Sequence, residues 1–485
     1  MSADPTPYEL APVKFSRLSK RGIILGLTLS QLVVLGIGAF TLIVALYTAG
    51  GTGLVIATPV LMTCTALAWG SVGGRRIVTW LPITTIWAWR TTTGQREFRR
   101  RITRPRPAGT LALPGDAASL RQWHDEETGA VMIHDPHAAT LTAIIGVTHA
   151  AFTLLDPAEQ QRRVTGWGRV LATTCRSGRI ASLQVLERTL PDSGRGLAEW
   201  WKNHGTHDDT WASKTYSELI DQAGPAGERH ATTISIALDM KAAGRAIRAA
   251  GKGVRGAAAV LRQEMTTLTA ALRAADLSPG DWLTPGDLAL ILRTAYDPGV
   301  ATALERHGTL GCDLAAAGPI AINESWGSLR SDSAHHAVLW ISEWPRSQVY
   351  PGFLAPLVHT TDVRRAISLH YKPIRTDLAT RDLRRKKTEY ISDAAQRQRI
   401  GQIEDAQQAA EYADVLQQEA DLTAGHGLLR LTGLLTLSAG DADELERVVA
   451  AVEQAAVQAS CETRRLWGQQ AQALAAAALP LCRRL

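Results

Sequence analysis

The sequence predicts an α+β protein. A two-helix transmembrane hairpin precedes a cytoplasmic region of two related sheet-and-helix units, the second carrying a long charged helix or helical hairpin. Three observations lead there. Charged residues make up 20% of the 485, yet none occurs between Arg21 and Arg75. From Thr110 onward, β-favouring apolar runs alternate with helix-periodic stretches. Charge is also sorted: residues 1–106 hold thirteen Lys and Arg against three Asp and Glu, a net +10, which leaves −4 for the remainder. The basic balance therefore belongs to the membrane-flanking part. It does not point to a nucleic-acid-binding body, which needs clustered cations.

The elements follow in order. Residues 1–21 form a cytoplasmic tail. The uncharged run Gly22–Gly74 has 53 residues, and a spanning helix needs about 20. Two helices fit, Gly22–Tyr47 and Leu54–Val72, joined by a glycine-rich turn over Tyr47–Gly53. Lys14, Arg17, Lys20 and Arg21 precede the pair, and Arg75 and Arg76 follow it. With both ends positive, the positive-inside rule predicts cytoplasmic termini, an outer turn and a multi-pass protein of the inner (plasma) membrane. A cleaved signal peptide fits poorly, because the apolar stretch is too long and doubles back. Ile77–Trp89 is too short to span but contains Trp80, Trp87 and Trp89. It is expected to lie as an amphipathic segment on the inner leaflet, with Arg90–Arg106 against anionic headgroups. Residues 75–109 thus form an interfacial segment closed by the Arg104-Pro-Arg-Pro107 linker.

Residues 110–280 form the first cytoplasmic unit. Val131–His134 and Leu141–His149 read as strands around an Asp135-Pro136 turn. Asp156-Pro-Ala-Glu159 opens a helix in capping-box style and carries it to about Thr174. Ile180–Glu187 is a strand, Leu197–His204 and Asp209–Gln222 are helices, Thr232–Met240 contains a strand, and Val254–Ala275 is a helix. Helices are expected on one face of the sheet.

The loop Leu277–Pro285 leads into the second unit, residues 281–485. There Leu288–Thr294 is a short helix. Ala337–Ile341 is a strand that places Trp340 and Trp344 on one face by period two. Ala366–Tyr371 and Leu428–Leu437 are strands, while Asp441–Val457 and Leu466–Ala478 are helices. Between them Asp377–Asp421 is helix-favouring and charged, with Gly401 a candidate break. Its cations Arg381, Arg384, Arg385, Lys386 and Lys387 could dock an acidic partner surface; a solvated helix face is the plainer account.

The five cysteines show no CxxC spacing, and their odd number argues against a disulfide framework. Gly244–Gly253 resembles a phosphate-binding loop, but its spacing is wrong and Gly253 stands where Ser or Thr is needed. Gly251–Gly256 spells GxGxxG without a preceding strand, so a glycine break between helices is the better reading. His134 and His137, and His335 and His336, lack metal-ligand geometry: Pro136 prevents a regular helix at the first pair, and neighbours on a strand face apart at the second. No catalytic residue, cofactor-binding residue or metal ligand is predicted, and the protein is not expected to be an enzyme.

The opening Tyr8-Glu-Leu-Ala-Pro-Val-Lys-Phe15, the charge-free run, the Arg75-Arg76 exit and the Trp- and Arg-rich stretch through Thr93-Gly-Gln95 together resemble a family of actinobacterial integral membrane proteins. These are encoded with conjugation-type (type IV secretion) components. The arrangement looks like a PrgI-type membrane hairpin joined to the amino-terminal, non-ATPase domain of a VirB/TraC-type secretion ATPase. Element order extends the likeness to Leu479-Pro-Leu-Cys-Arg-Arg-Leu485, where such an ATPase's motor domain would begin. The resemblance implies that the ATPase is a separate chain and that this protein docks it at the inner membrane. Other secretion-channel membrane proteins, lipids and a homo-oligomer are the further expected partners, and direct nucleic-acid binding is not favoured. A type VII secretion membrane component is the main alternative. A membrane-anchored hydrolase using His134 or His137 is the least favoured.

Overall fold

The structure, a computed structural model, describes residues 10, 12–15, 27–72, 75–101, 103, 107, 109–149, 151–223, 227–307, 314–400 and 406–483. Lys20, Arg21, the start of the first expected helix, Arg104–Arg106, Cys312 and Gly401 lie outside those residues. The chain divides into two compact units: residues 17–96, and residues 1–16 together with 97–485.

In the smaller unit, α1 runs from Leu29 to Trp69. Among the described residues it is the one helix long and apolar enough to cross a membrane. Helical geometry continues through the expected turn over Tyr47–Gly53 except at Gly50, with φ 56° and ψ −134°. One glycine in the left-handed region is enough to interrupt it, so the expected seven-residue turn and two separate helices are replaced by a single element with a break. The helix ends at Trp69 rather than Val72. Ser71–Val72 (β1) pairs with Arg75–Arg76 (β2), and α2 follows over Ile77–Thr92.

The larger unit is built on a 13-stranded sheet in which every pairing is antiparallel. After β3 (Glu97–Arg99), the first half runs β4 (Arg121–His124), β5 (Val131–Asp135), β6 (Thr140–Thr148), α3 (Pro157–Ser177) and β7 (Ile180–Pro191). The helix pair α4 (Arg195–His204) and α5 (Trp211–Ala223) comes next, then β8 (Glu228–Asp239), α6 (Gly244–Ala249), α7 (Gly253–Ala274) and β9 (Ser278–Trp282). Helices α8 (Pro285–Tyr296) and α9 (Ala301–His307) lead to the second half: β10 (Ala321–Glu324), β11 (Leu329–Ser331), β12 (Ala334–Glu343), α10 (Ala355–Val358) and β13 (Arg364–Ile374). It continues with α11 (Thr376–Ile400), α12 (Ala406–Thr423), β14 (Leu428–Ala439), α13 (Ala442–Gln458) and β15 (Glu462–Arg465), and α14 (Gln470–Ala477) closes it.

Strand order makes the two halves equivalent. From one edge it is β4-β5-β6-β8-β7, and from the other, inside β3, it is β10-β11-β12-β14-β13. β9 pairs with β6 as β15 pairs with β12. Each half is a ferredoxin-like βαββαβ unit of strand order 4-1-3-2, with a helix pair inserted between its second and third strands. The halves join through β7 and β13 over Ala366↔Arg188 to Tyr371↔Leu183.

Period-two alternation splits the core. Met132, Leu141 and Ile145 pack under α3 and α7, and Leu339, Leu435 and Leu437 pack under α10 and α13. The opposite face, with Ile133, Ile144, Val338 and Leu434, is covered by α8, α14 and residues 111–120. Helices therefore lie on both faces, not one. The expected loop Leu277–Pro285 contains β9, because Ser278–Trp282 completes the first unit's sheet. Trp340 and Trp344 fall in different cores, the first with the α8–α14 side and the second with the α13 side. The register of β12 against β15 shifts between Ile341 and Glu343, and one irregularity of that kind inverts the side-chain parity beyond it.

Candidate functional site

Leu29–Trp69 exposes Val33, Ile37, Phe40, Ile43, Val55, Ile56 and Met62, an outer surface suited to lipid rather than water. Its one polar buried residue, Gln31, donates from Nε2 to Ala68 O at 2.6 Å and accepts from Thr28 N and the Arg76 guanidinium. A Cβ built at Gly38 would lie 3.0 Å from Cys64 Cβ, and one at Gly53 would fall 1.9 Å from Ala45 O. Residues 31 and 68, and 38 and 64, are thus near neighbours although 37 and 26 positions apart.

In α2, Trp80 and Trp87 are half-buried, Trp89 is exposed, and Arg96 lies over the Trp87 ring at 5.1 Å. Leu81 and Ile86 are exposed as well, so apolar residues surround this helix instead of gathering on the one face of an amphipathic segment. Arg76 caps its start through backbone placement and bonds Gln31, while Arg75 sits in the short β1–β2 ladder.

In the larger unit the segment preceding the apolar helix is fastened to the body. Val13 and Val349 exchange backbone hydrogen bonds at 2.7 and 2.9 Å. Phe15 stacks on Trp344 at 5.2 Å and meets Phe353 edge-on at 5.5 Å, and Lys14 pairs with Asp414 of α12 at 2.6 Å. The motif Tyr8–Phe15 singled out above thus ends in an aromatic plug, a role its sequence did not announce.

The predicted basic run lies on α11. Lys387 pairs across the helical hairpin with Glu419 at 2.7 Å, Lys386 with Asp382 at 2.9 Å, and Arg385 with Asp382 and Glu389. Arg381 and Arg384 are exposed and have no ion pair among the described residues. The equivalent insertion in the first half, α4 with α5, turns Trp200 (54% exposed), Trp211 (80%) and Leu219 (55%) outward.

A polar seam runs beneath α14, where sequence reasoning read only strand. Gln184 donates to Leu479 O and Ser368 Oγ at 2.9 Å each and accepts from Cys482 N at 2.7 Å. Ser235 Oγ donates to Pro480 O at 2.7 Å. These groups anchor Leu479–Cys482 across the joint of the two halves. The signal was available: Gln184 and Arg188 interrupt an apolar strand at even spacing, which places both on one covered face. His336 bonds Ser438 Oγ at 2.8 Å and Tyr296 O at 3.0 Å, and burial pushes its pKa down to about 4. His134 is lowered by burial too, and Asp135 accepts from His137 N in the turn. No group of three or more His, Cys, Asp or Glu arranged to hold a metal occurs among the described residues. Burial raises the Cys175 and Cys461 thiols above their ordinary range, which keeps them protonated and unreactive. Gly251 (φ 115°) and Gly253 (φ 57°) mark the break between α6 and α7.

Compared with known proteins, the chain matches no family model and no curated protein.

Proposed function

We propose that this chain is a membrane-anchored, non-catalytic docking component of a conjugation or type IV-like secretion system, holding a separate ATPase at the inner face of the plasma membrane. The observation that carries the anchoring half is the return of the chain. Residues 10–15 and residues from Glu97 onward belong to one folded unit, with the apolar helix between them. A chain whose flanks fold together must cross a bilayer an even number of times. At about 1.5 Å per residue, 41 residues measure about 60 Å, twice a hydrocarbon core of about 30 Å. The break at Gly50 divides them into spans of about 20, and the Gln31–Ala68 bond supports antiparallel halves. In this reading the two halves form a transmembrane hairpin, and Gln31 meets its partners inside it, as a polar group in lipid must.

The docking half rests on the resemblance and on two outward surfaces: the cations Arg381 and Arg384, and the aromatic face of α4 and α5. The ATPase is the expected occupant of both. Co-purification of the full-length chain from membranes with the secretion ATPase encoded beside it tests the reading. Deleting residues 27–72 should release the ATPase to the cytosol, and Trp200→Ala with Trp211→Ala should weaken the pair while the chain stays in the membrane. An ATPase held at the membrane unchanged in the deleted strain contradicts it.

A further inference from the structure

At the joint between the halves, on the face of the sheet covered by α8 and α14, a cleft is lined by Arg188 of β7, Thr294 of α8, Arg364 of β13, Thr436 and Ser438 of β14, and Ala478. Arg188 is 7% exposed, and among the described residues its side chain's one hydrogen bond goes from a terminal nitrogen to Thr294 Oγ1 at 3.1 Å. Among the described residues its Nε has no partner, and neither has the buried hydroxyl of Thr436 in the same lining. Among the described residues no carboxylate bonds Arg188 directly, and Glu187 acts on it only through space. Glu305 binds Arg229 and the Ser193 amide, Asp297 binds Arg293 and Ser333, and Glu187 accepts from Thr232 and His230.

A guanidinium taken from water without a directly bonded counter-charge is costly, and a buried donor left unpaired adds about 1–3 kcal/mol. Burial and the nearby Arg229 charge lower the Arg188 pKa, the Glu187 carboxylate opposes them, and it falls only to about 10, so the cation persists at neutral pH. Two buried groups without a partner among the described residues, Arg188 Nε and the Thr436 hydroxyl, line this cleft, and exposed Arg364 stands at its mouth. The space open to a water-sized species is about 20 Å³, enough for one such species.

We propose that this cleft binds one small inorganic anion of the halide class, held by the Arg188 guanidinium and the Thr436 hydroxyl, which locks the two halves of the sheet together. β7 comes from the first half and β13 and β14 from the second, so an ion there bonds across the joint. Nothing in this assignment depends on the docking role.

The test uses the full-length chain in detergent micelles. Thermal unfolding is followed as sodium chloride replaces sodium gluconate at constant ionic strength, and ³⁵Cl NMR linewidth reports binding directly. Chloride should raise the midpoint and broaden the line, whereas gluconate is too large to enter. Arg188→Gln should abolish both responses. Thr436→Val keeps shape and removes a hydroxyl that bonds nothing else, so it should fold normally and weaken chloride about tenfold, the worth of one hydrogen bond to a charge. A wild-type midpoint and linewidth indifferent to chloride overturn the proposal. So does a response that survives unchanged in Thr436→Val and Arg188→Gln.

Discussion

His336 is held neutral in the sheet, between Ser438 and the Tyr296 carbonyl, with its pKa pushed down to about 4. In the unfolded chain it titrates near 6.5. The unfolded state therefore binds the extra proton first, so the contribution is complete above about pH 6.5 and is lost as pH falls toward 4. At full extent the loss is about 3 kcal/mol. Thermal midpoints between those pH values should fall in the wild type and flatten in His336→Gln. Gln184 makes a second prediction at this scale. Its amide holds Leu479 O, Ser368 Oγ and Cys482 N, so Gln184→Leu strands buried groups and should cost about 1–3 kcal/mol in a denaturant titration. The sequence shows that His335 and His336 face apart. It does not show that His336 reaches a carbonyl of α8, because that partner is set by how α8 crosses the sheet.

Elements were legible where periodicity was long. The strands at Val131, Ile180 and Leu428, the strand expected from Leu141 and found from Thr140, the helix opened by Pro157 and the helix expected from Asp441 and found from Ala442 stand where apolar alternation put them to within a residue. Asp441 caps its helix by accepting from Glu444 N at 2.7 Å, which the sequence reading does not anticipate, whereas Asp156, the expected cap, makes no side-chain bond there and Glu159 bonds Arg162 and Arg163 instead. Short strands such as Glu97–Arg99, Ala321–Glu324 and Glu462–Arg465 escaped. Three or four residues with at most one or two apolar among them carry no period of their own, and only a neighbouring strand makes them β. The apolar helix supplies the prediction at this scale. On the proposed antiparallel arrangement, a cysteine at 38 lies beside Cys64. Oxidising the Gly38→Cys protein should yield an intramolecular disulfide with an altered gel mobility. Halves that extend straight from Gly50 would leave both thiols free.

The whole molecule joins two ferredoxin-like halves through β7 and β13 and fastens residues 10–15 to the second half through Phe15. The repeated alternation of strands and helices foretold paired units. Their joint lies in a buried seam of Gln184, Ser235 and Ser368, and pairing between strands about 180 residues apart is not written in either. Phe15→Ala removes a ring stacked on Trp344 and should cost about 3 kcal/mol; faster cleavage of residues 10–15 by limited proteolysis would register it. The central claim is that both flanks of the apolar helix lie on one side of the membrane and its midpoint on the other. In intact cells, a Thr48→Cys protein in a Cys64→Ala background tests it with a membrane-impermeant thiol reagent. The account predicts labelling at position 48 from outside, and reaction there only after the cytoplasm is opened would contradict it.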